Sequence, residues 1–331
     1  MELVYHDLSR INEIQTFIHE WNNDDSYILC QTSGTTGPPR TIKLSKVCIR
    51  HSAERTIEFF KLKAGDKVGL PLSTKTIAGK LMVIRALLAS LELHVLAVTI
   101  DSLTYIEQEL DFIAMVPNQA TQYALKNSGK QKAATVLIGG VPLTHTQYEI
   151  IHEYWENAFQ SYGMTETATH VALRKISGDI NAPYQALPGI EFETLDDCLR
   201  IVSKDFPEGI NTNDQVILHS PTAFSFLGRL DFAINVGGVK IHPEQLEHKL
   251  NKRIRGEFVV LPVIDALYGS SVGIAHVEIQ EFSVTEFNDL NSAEKPRMHC
   301  IIDNVLRNEN GKINRQAMIL EAVNYEWQKV L

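Results

Sequence analysis

Apolar residues recur at helical spacing early in the chain, at Ile11, Ile14, Phe17, Ile18 and Trp21. They predict an amphipathic helix over 10–21. A polar break, 22–26, precedes an apolar strand over 27–30, a Gly/Ser/Thr/Pro loop, and an alternating strand over 41–44. Ser45 reads as the N-cap of a helix reaching about residue 60. The turn Gly65-Asp66 leads into a strand over 67–70. A βα alternation follows, with helices over 77–90, 103–110 and 119–126 and strands over 93–98, 112–116 and 135–138. Thr144 and Gln147 have capping-box spacing and open a helix to about 155, and a strand follows over 158–160. Beyond it the pattern changes to short strands over 170–175, 190–194, 199–202 and 215–218. From about residue 232 it becomes a small α+β portion, with a glycine turn at 236–238 and Pro243 in the first turn of a helix.

Strands alternating with helices imply a mostly parallel sheet covered on both faces. The expected fold is α/β: a doubly wound, mostly parallel sheet with a β-rich segment, then a small α+β C-terminal domain. The boundary is expected between residues 230 and 231. Ligands of such sheets sit at the carboxyl ends of the strands. The loop after residue 30, Gly139-Gly140-Val141 and the stretch after Gln160 all lie at predicted carboxyl ends.

Composition narrows the function classes. The 331 residues are 44% hydrophobic and 21% charged, with a net charge of -9. That balance argues against a broad basic face for nucleic acid. The cysteines Cys30, Cys48, Cys198 and Cys300 are scattered without a C-x-x-C pair, which points away from a zinc site or a disulfide framework and toward a reducing compartment. The start, M-E-L-V-Y-H-D-L-S-R, does not read as a signal peptide, and no apolar run is long enough to span a bilayer. A cytoplasmic protein is expected.

Candidate chemistry is concentrated in a few stretches. The loop Thr32-Ser33-Gly34-Thr35-Thr36-Gly37-Pro38-Pro39-Arg40 combines two glycines, four hydroxyls and a guanidinium. Successive backbone N–H groups with hydroxyls and a cation make an anion nest suited to a polyphosphate. It lacks the G-K-[ST] ending of a Walker A loop, and by composition alone it also suits a surface turn. In Ser161-Tyr162-Gly163-Met164-Thr165-Glu166-Thr167, Tyr162 can stack on a purine, Thr165 can bond a phosphate and Glu166 can hold Mg²⁺. A polar loop around a half-buried Tyr is the plainer alternative. Asp214 in Thr212-Asn213-Asp214 suits a pair of ribose hydroxyls, and Arg229 in Gly228-Arg229-Leu230-Asp231 adds a cation. A loop-capping Asp and a surface ion pair are the alternatives there.

Together and in this order, these stretches resemble the adenylate-forming superfamily of acyl-CoA synthetases, aryl-CoA ligases, luciferases and peptide-synthetase adenylation domains. The resemblance implies that Thr32, Ser33, Gly34, Thr35, Thr36, Gly37 and Arg40 hold ATP phosphates, with Arg40 where the family usually has Lys. It implies that Gly139, Gly140 and Val141 lie against adenine, and that Ser161, Tyr162, Gly163, Met164 and Thr165 complete the nucleotide site beside the metal ligand Glu166. Asp214 and Arg229 then serve the AMP portion, although T-N-D stands here for the family's T-G-D. Asp231 falls at the family's interdomain hinge. The loop Gly237, Gly238 and Lys240 faces the site during thioester formation. Lys312, in N-E-N-G-K-I-N-R, acts during adenylation with Thr165 and Glu166.

Within the superfamily the chain resembles a shortened o-succinylbenzoate–CoA ligase of menaquinone biosynthesis. Little precedes the phosphate loop, and Leu70-Pro71-Leu72-Ser73-Thr74-Lys75-Thr76-Ile77-Ala78-Gly79-Lys80 stands where the family has P-L-x-H-x-x-G, without its His. Lys75, Thr76, Gly79, Lys80 and His170 are the acyl-site candidates; the two lysines suit an aromatic dicarboxylate or, equally, a solvated helix start. The implied reaction uses ATP, Mg²⁺ and coenzyme A. An acid is adenylated with loss of pyrophosphate, and CoA then displaces AMP. The expected partners are these small molecules, with no nucleic acid and no membrane span, and a homodimer is left open. Another acyl-CoA or carrier-protein ligase and a non-catalytic nucleotide-binding protein remain the alternatives.

Overall fold

The computed structural model describes residues 1–31, 40–104, 106–127, 129, 131–265, 269–308 and 311–331. The chain divides into two compact units. The first is Met1–Glu193 with Arg200–Ile210 and Leu218–Ser225; the second is Thr194–Leu199 with Asn211–Ile217 and Phe226–Leu331.

In the first unit, β1 (Glu2–Tyr5) leads to α1 (Ile11–Asn22). A separate antiparallel hairpin of β2 (Tyr27–Gln31) and β3 (Thr41–Ser45) follows, in a register that pairs Tyr27 with Ser45 and Gln31 with Thr41. Then come α2 (Lys46–Phe60), β4 (Lys67–Leu70), α3 (Ile77–Ala89), β5 (Glu92–Val95), β6 (Leu110–Met115), α4 (Pro117–Lys126), β7 (Ala133–Ile138), α5 (His145–Tyr154), β8 (Ala158–Gly163), β9 (His170–Lys175) and β10 (Tyr184–Ala186). The main sheet is ordered β1-β5-β4-β6-β7-β8-β9-β10. It is parallel as far as β8, and β9 and β10 add antiparallel strands. Its central strands are buried and apolar, as expected for a sheet covered on both faces.

The predicted start signals operate as read. The Ser45 side chain accepts the Val47 N–H, and Thr144 and Gln147 form the reciprocal capping box of α5. Among the described residues one predicted helix, over 103–110, is absent. Residues 101–104 form a turn, and the strand β6 begins at Leu110. Leu103, Ile106 and Leu110, whose spacing suggested the helix, are all buried in the core cluster under β6 and β7. Here turns bury the same side chains without a helix.

The strands β11 (Glu191–Leu195), β12 (Cys198–Ser203), β13 (Phe206–Ser220) and β14 (Ala223–Arg229) each have residues in both units. The second unit adds β15 (Ile234–Val236), β16 (Val239–Ile241), α6 (Pro243–Leu250), β17 (Phe258–Asp265), β18 (Gly269–His276), β19 (Met298–Ile301), α7 (Arg315–Glu321) and β20 (Gln328–Lys329). Its four-stranded sheet runs β17-β18-β19-β20. Buried Arg315 ties α7 to α6 through Glu247, 2.8 Å away, and to the Val260 carbonyl at 2.9 Å.

That sheet carries a buried histidine couple. His276 Nε2 lies 3.1 Å from His299 Nδ1, with the rings stacked. Burial holds both rings below the ordinary histidine value, and His276 lowers His299 further. The unfolded chain therefore binds more protons than the folded one once pH falls through about 6.5. The second unit is expected to keep its stability above that value and to lose it progressively as pH falls below it. Urea midpoints at about pH 7.5 and about pH 5.5 check this, and His299→Gln should flatten the dependence. A midpoint independent of pH would show that the couple carries no such cost.

Candidate active site

Two of the predicted nucleotide segments meet at the carboxyl ends of β7 and β8. A Cβ on Gly139 would lie 2.3 Å from Ser161 Oγ. The Ser161 hydroxyl, in β8, donates to the Ile138 carbonyl at 3.0 Å and holds the end of β7 beside it. Gly140 has φ 89°, a conformation that side chains resist. The register shifts between Tyr162 and Gly163, where β8 bulges against β9. Tyr162 packs edge-on to Phe224, with ring centroids 4.9 Å apart. Buried Thr167 closes the following loop by accepting the Met164 N–H at 3.0 Å. Thr165 is left half-buried and Glu166 exposed.

Glu166 lines an open pocket of about 460 Å³ with Lys43 of β3, Ser45, Cys48, Ala168, Asp205 and Phe206. A single exposed carboxylate suits Mg²⁺, which takes one or two carboxylates and completes its shell with water and substrate phosphates. Among the described residues no group of three or more His, Cys, Asp or Glu side chains is arranged for a metal, so Glu166 would hold the ion jointly with the nucleotide. Thr32, Ser33, Gly34, Thr35, Thr36 and Gly37 lie outside the described residues. Arg40 is exposed immediately before β3.

The acyl-site candidates separate. Thr76 is the N-cap of α3, Gly79 sits in its first turn and Lys75 is exposed. The Lys80 ammonium is already engaged, 2.9 Å from Glu20 and 4.5 Å from the Phe17 ring centroid. His170 is buried at 5% exposure, and Thr56 Oγ1 lies 3.3 Å from its Nε2. Its pKa is held well below the ordinary value by burial first, then by Arg85 and Arg55.

These arginines were missed in the sequence reading. Arg85, on α3, is 2% exposed, and burial alone pulls its guanidinium down to about 9. Among the described residues its Nη1 meets the Met82 sulfur at 3.2 Å, and its Nε has no partner. Arg55, on α2, gives Nη1 to Asp205 at 2.5 Å, and among the described residues its buried Nε and Nη2 have no partners. One signal was available: Arg85 is the only charge in the run Leu81-Met82-Val83-Ile84-Arg85-Ala86-Leu87-Leu88.

The second unit assembles the remaining candidates. Asp214 is 8% exposed, and its N–H donates to Thr212 Oγ1 at 3.0 Å. Arg229 pairs with Asp231 at 2.6 Å, and the Asn213 amide donates to the same carboxylate at 2.8 Å. The Lys312 N–H donates to Asn308 Oδ1 at 2.9 Å, and its carbonyl accepts the Asn308 N–H. Burial lowers its ammonium pKa, the Arg229 charge lowers it further, and Asp214 opposes both. Lys312, Arg229 and Asp214 therefore share one electrostatic neighbourhood. Gly237 and Gly238 both have positive φ and form the two-residue turn between β15 and β16. Lys240 on β16 is exposed.

Comparison with known proteins decides the family. The model of the AMP-binding enzyme family matches residues 5–209. The chain belongs to this family. It is 24% identical over 313 residues to the 2-succinylbenzoate–CoA ligase of Escherichia coli, covering 87% of this chain and 67% of that protein. The solved acyl-CoA synthetase (AMP-forming)/AMP-acid ligase II-like protein of Dyadobacter fermentans is 29% identical, with a TM-score of 0.62 and 92% of each chain covered. The fold is also that of o-succinylbenzoate CoA synthetase from Bacillus subtilis, solved with its acyl-adenylate intermediate. That match has a TM-score of 0.78 at 20% identity, over 88% of this chain and 68% of the other. The match thus spans about two thirds of the length of the Escherichia coli and Bacillus subtilis ligases.

Proposed function

We propose that the protein is an ATP-dependent acid–CoA ligase whose substrate is an aromatic dicarboxylic acid of the 2-succinylbenzoate type. The family match and the ligases among the relatives support the reaction class. The observation that carries the substrate class is the pair of buried guanidiniums, Arg55 and Arg85. Among the described residues one carboxylate, Asp205, pairs with them, through Arg55, and both keep N–H groups without partners. A buried charge without a partner costs several kcal/mol. A second carboxylate on the acid, remote from the one activated, would offset that cost.

In this reading one carboxylate attacks the α-phosphorus of ATP and pyrophosphate leaves with the bridging oxygen. The CoA sulfur, having lost its proton, then attacks the acyl carbon, and AMP departs. Glu166 would hold Mg²⁺, which when bound would neutralise phosphate charge. The glycine-rich loop and Arg40 bind phosphates, Tyr162 and Gly139–Val141 bind adenine, and Asp214 with Arg229 holds the ribose and α-phosphate. Lys312 stabilises negative charge as adenylation proceeds, and the Gly237–Lys240 turn serves the thioester step. The protein acts by positioning and electrostatic stabilisation.

Pyrophosphate release with ATP, measured over a panel of acids with and without CoA, tests the proposal. 2-Succinylbenzoate is expected to exceed its monocarboxylic counterpart by at least about tenfold, the discrimination of a site left with an unpaired buried charge. Faster turnover of benzoate or fatty acids would overturn the substrate class and leave the reaction class standing.

A further inference from the structure

The N-terminal helix is bonded to strand ends far away in sequence. Arg10, immediately before α1, is 3% exposed. Its Nη1 donates to the carbonyls of Leu70 at 2.8 Å and Leu96 at 2.6 Å, and its Nη2 to that of Leu72 at 2.7 Å. Leu70 ends β4 and Leu96 follows β5, so one side chain ties the carboxyl ends of two neighbouring parallel strands.

Glu13 lies one turn further on, with an oxygen 3.0 Å from Arg10 Nε. It accepts the Thr74 N–H at 2.5 Å, Thr74 Oγ1 at 3.0 Å and Ser73 Oγ at 2.9 Å. Burial would raise its pKa, but these donors and the Arg10 charge outweigh burial and leave it at about 2. Phe17 and Glu20 then meet Lys80. Glu13, Phe17 and Glu20 stand at i, i+4 and i+7, on one helix face. That face follows the segment from Ser73 to Lys80.

The segment is also fixed from elsewhere. Gln119 Nε2 donates to the Pro71 carbonyl at 3.2 Å, and a Cβ on Gly79 would lie 2.1 Å from the Ser73 carbonyl oxygen. Left alone, Ser73-Thr74-Lys75-Thr76 is a polar loop that would lose its freedom each time a ligand bound. Ordering a loop in advance removes that cost from the binding step.

We propose that Arg10 and Glu13 are positioning residues for acid binding: they hold the Leu70–Thr76 strand-end segment that leads into α3, the helix whose Arg85 meets the acid's second carboxylate under the ligase reading above. Neither touches substrate. Their effect passes through backbone carbonyls and N–H groups at the carboxyl edge of a parallel sheet, where ligands of such sheets bind.

The test uses the full chain with Arg10→Met, Arg10→Lys and Glu13→Gln. Hydrogen exchange over residues 70–80 is measured without ligand, and KM for acid and for ATP is measured separately by pyrophosphate release. Arg10→Met should speed exchange over 70–80 by about tenfold or more. It should raise KM for the acid about tenfold, with KM for ATP and kcat within about threefold. Arg10→Lys should recover part of the acid affinity, since an ammonium can still bond a carbonyl. Unchanged exchange would overturn the clamp. Faster exchange with unchanged KM for the acid would overturn the positioning role and leave a structural one. Should Arg10→Met fail to fold, Glu13→Gln carries the same two readouts, because the amide keeps the shape. A wild type that releases pyrophosphate with no acid would defeat the ligase reading and with it the positioning role, while exchange still decides the clamp.

Discussion

Lys312→Ala is expected to lower adenylate formation by roughly 10²–10³, the usual loss when one preorganised donor to a developing charge is removed. The structure gives this lysine the surroundings of a working group. Its ammonium is half-buried and destabilised by burial and by Arg229, and Asp214 holds the charge in place. An incoming phosphate would relieve the repulsion between the two cations. The Lys312 backbone N–H and carbonyl are held by Asn308, independently of the lysine side chain. The variant should therefore fold normally, with an unchanged thermal midpoint. Conversion of a supplied acyl-adenylate and CoA into thioester should be spared, because no pyrophosphate leaves in that step. Measuring the two half-reactions separately decides the matter. Equal slowing of both would show that Lys312 is not specific to adenylation.

The second large effect runs in opposite directions for stability and activity. Arg85→Met is expected to stabilise the protein while damaging use of a dicarboxylic acid. Arg85 is buried within the apolar run 81–88, and burial alone pulls its pKa to about 9. At neutral pH it remains charged, so the folded state carries the desolvation cost. Replacing buried charge with an apolar chain of similar length commonly stabilises by about 1–4 kcal/mol, which should appear as a higher urea midpoint. If the guanidinium meets a substrate carboxylate, its loss leaves that carboxylate unpaired, a change worth about 2–5 kcal/mol. The kcat/KM for 2-succinylbenzoate should then fall by on the order of 10² or more, with a monocarboxylic analogue much less affected. A lower midpoint with unchanged preference among acids would make Arg85 a packing residue.

Much of the scaffold was legible because its signals are local. Ser45 caps α2 and Thr144 with Gln147 caps α5, since each cap depends on residues two or three positions apart. The strand alternation around β6, β7 and β8 was legible for the same reason. The segment 103–110 shows the limit. Its apolar spacing correctly marked buried residues, yet burial did not require a helix there.

The candidate site divides along the same line. By itself the sequence determined the order of the stretches proposed to bind nucleotide, the placing of Gly139 at a strand end, and the glycine turn at 237–238. Each is a local pattern of residue types with a fixed backbone requirement. Tertiary structure alone decided the partners of the long charged side chains. Lys80 was a candidate for reading substrate and proves to be paired with Glu20, while Arg10, the first residue of a predicted helix, reaches carbonyls 60 to 86 positions away. Arg55 and Arg85 became visible as buried cations only once α2 and α3 lay beside His170. A charge reads the same in sequence whether it is solvated or enclosed. Its energy, and so its function, is set by which distant groups the fold brings within about 3 Å.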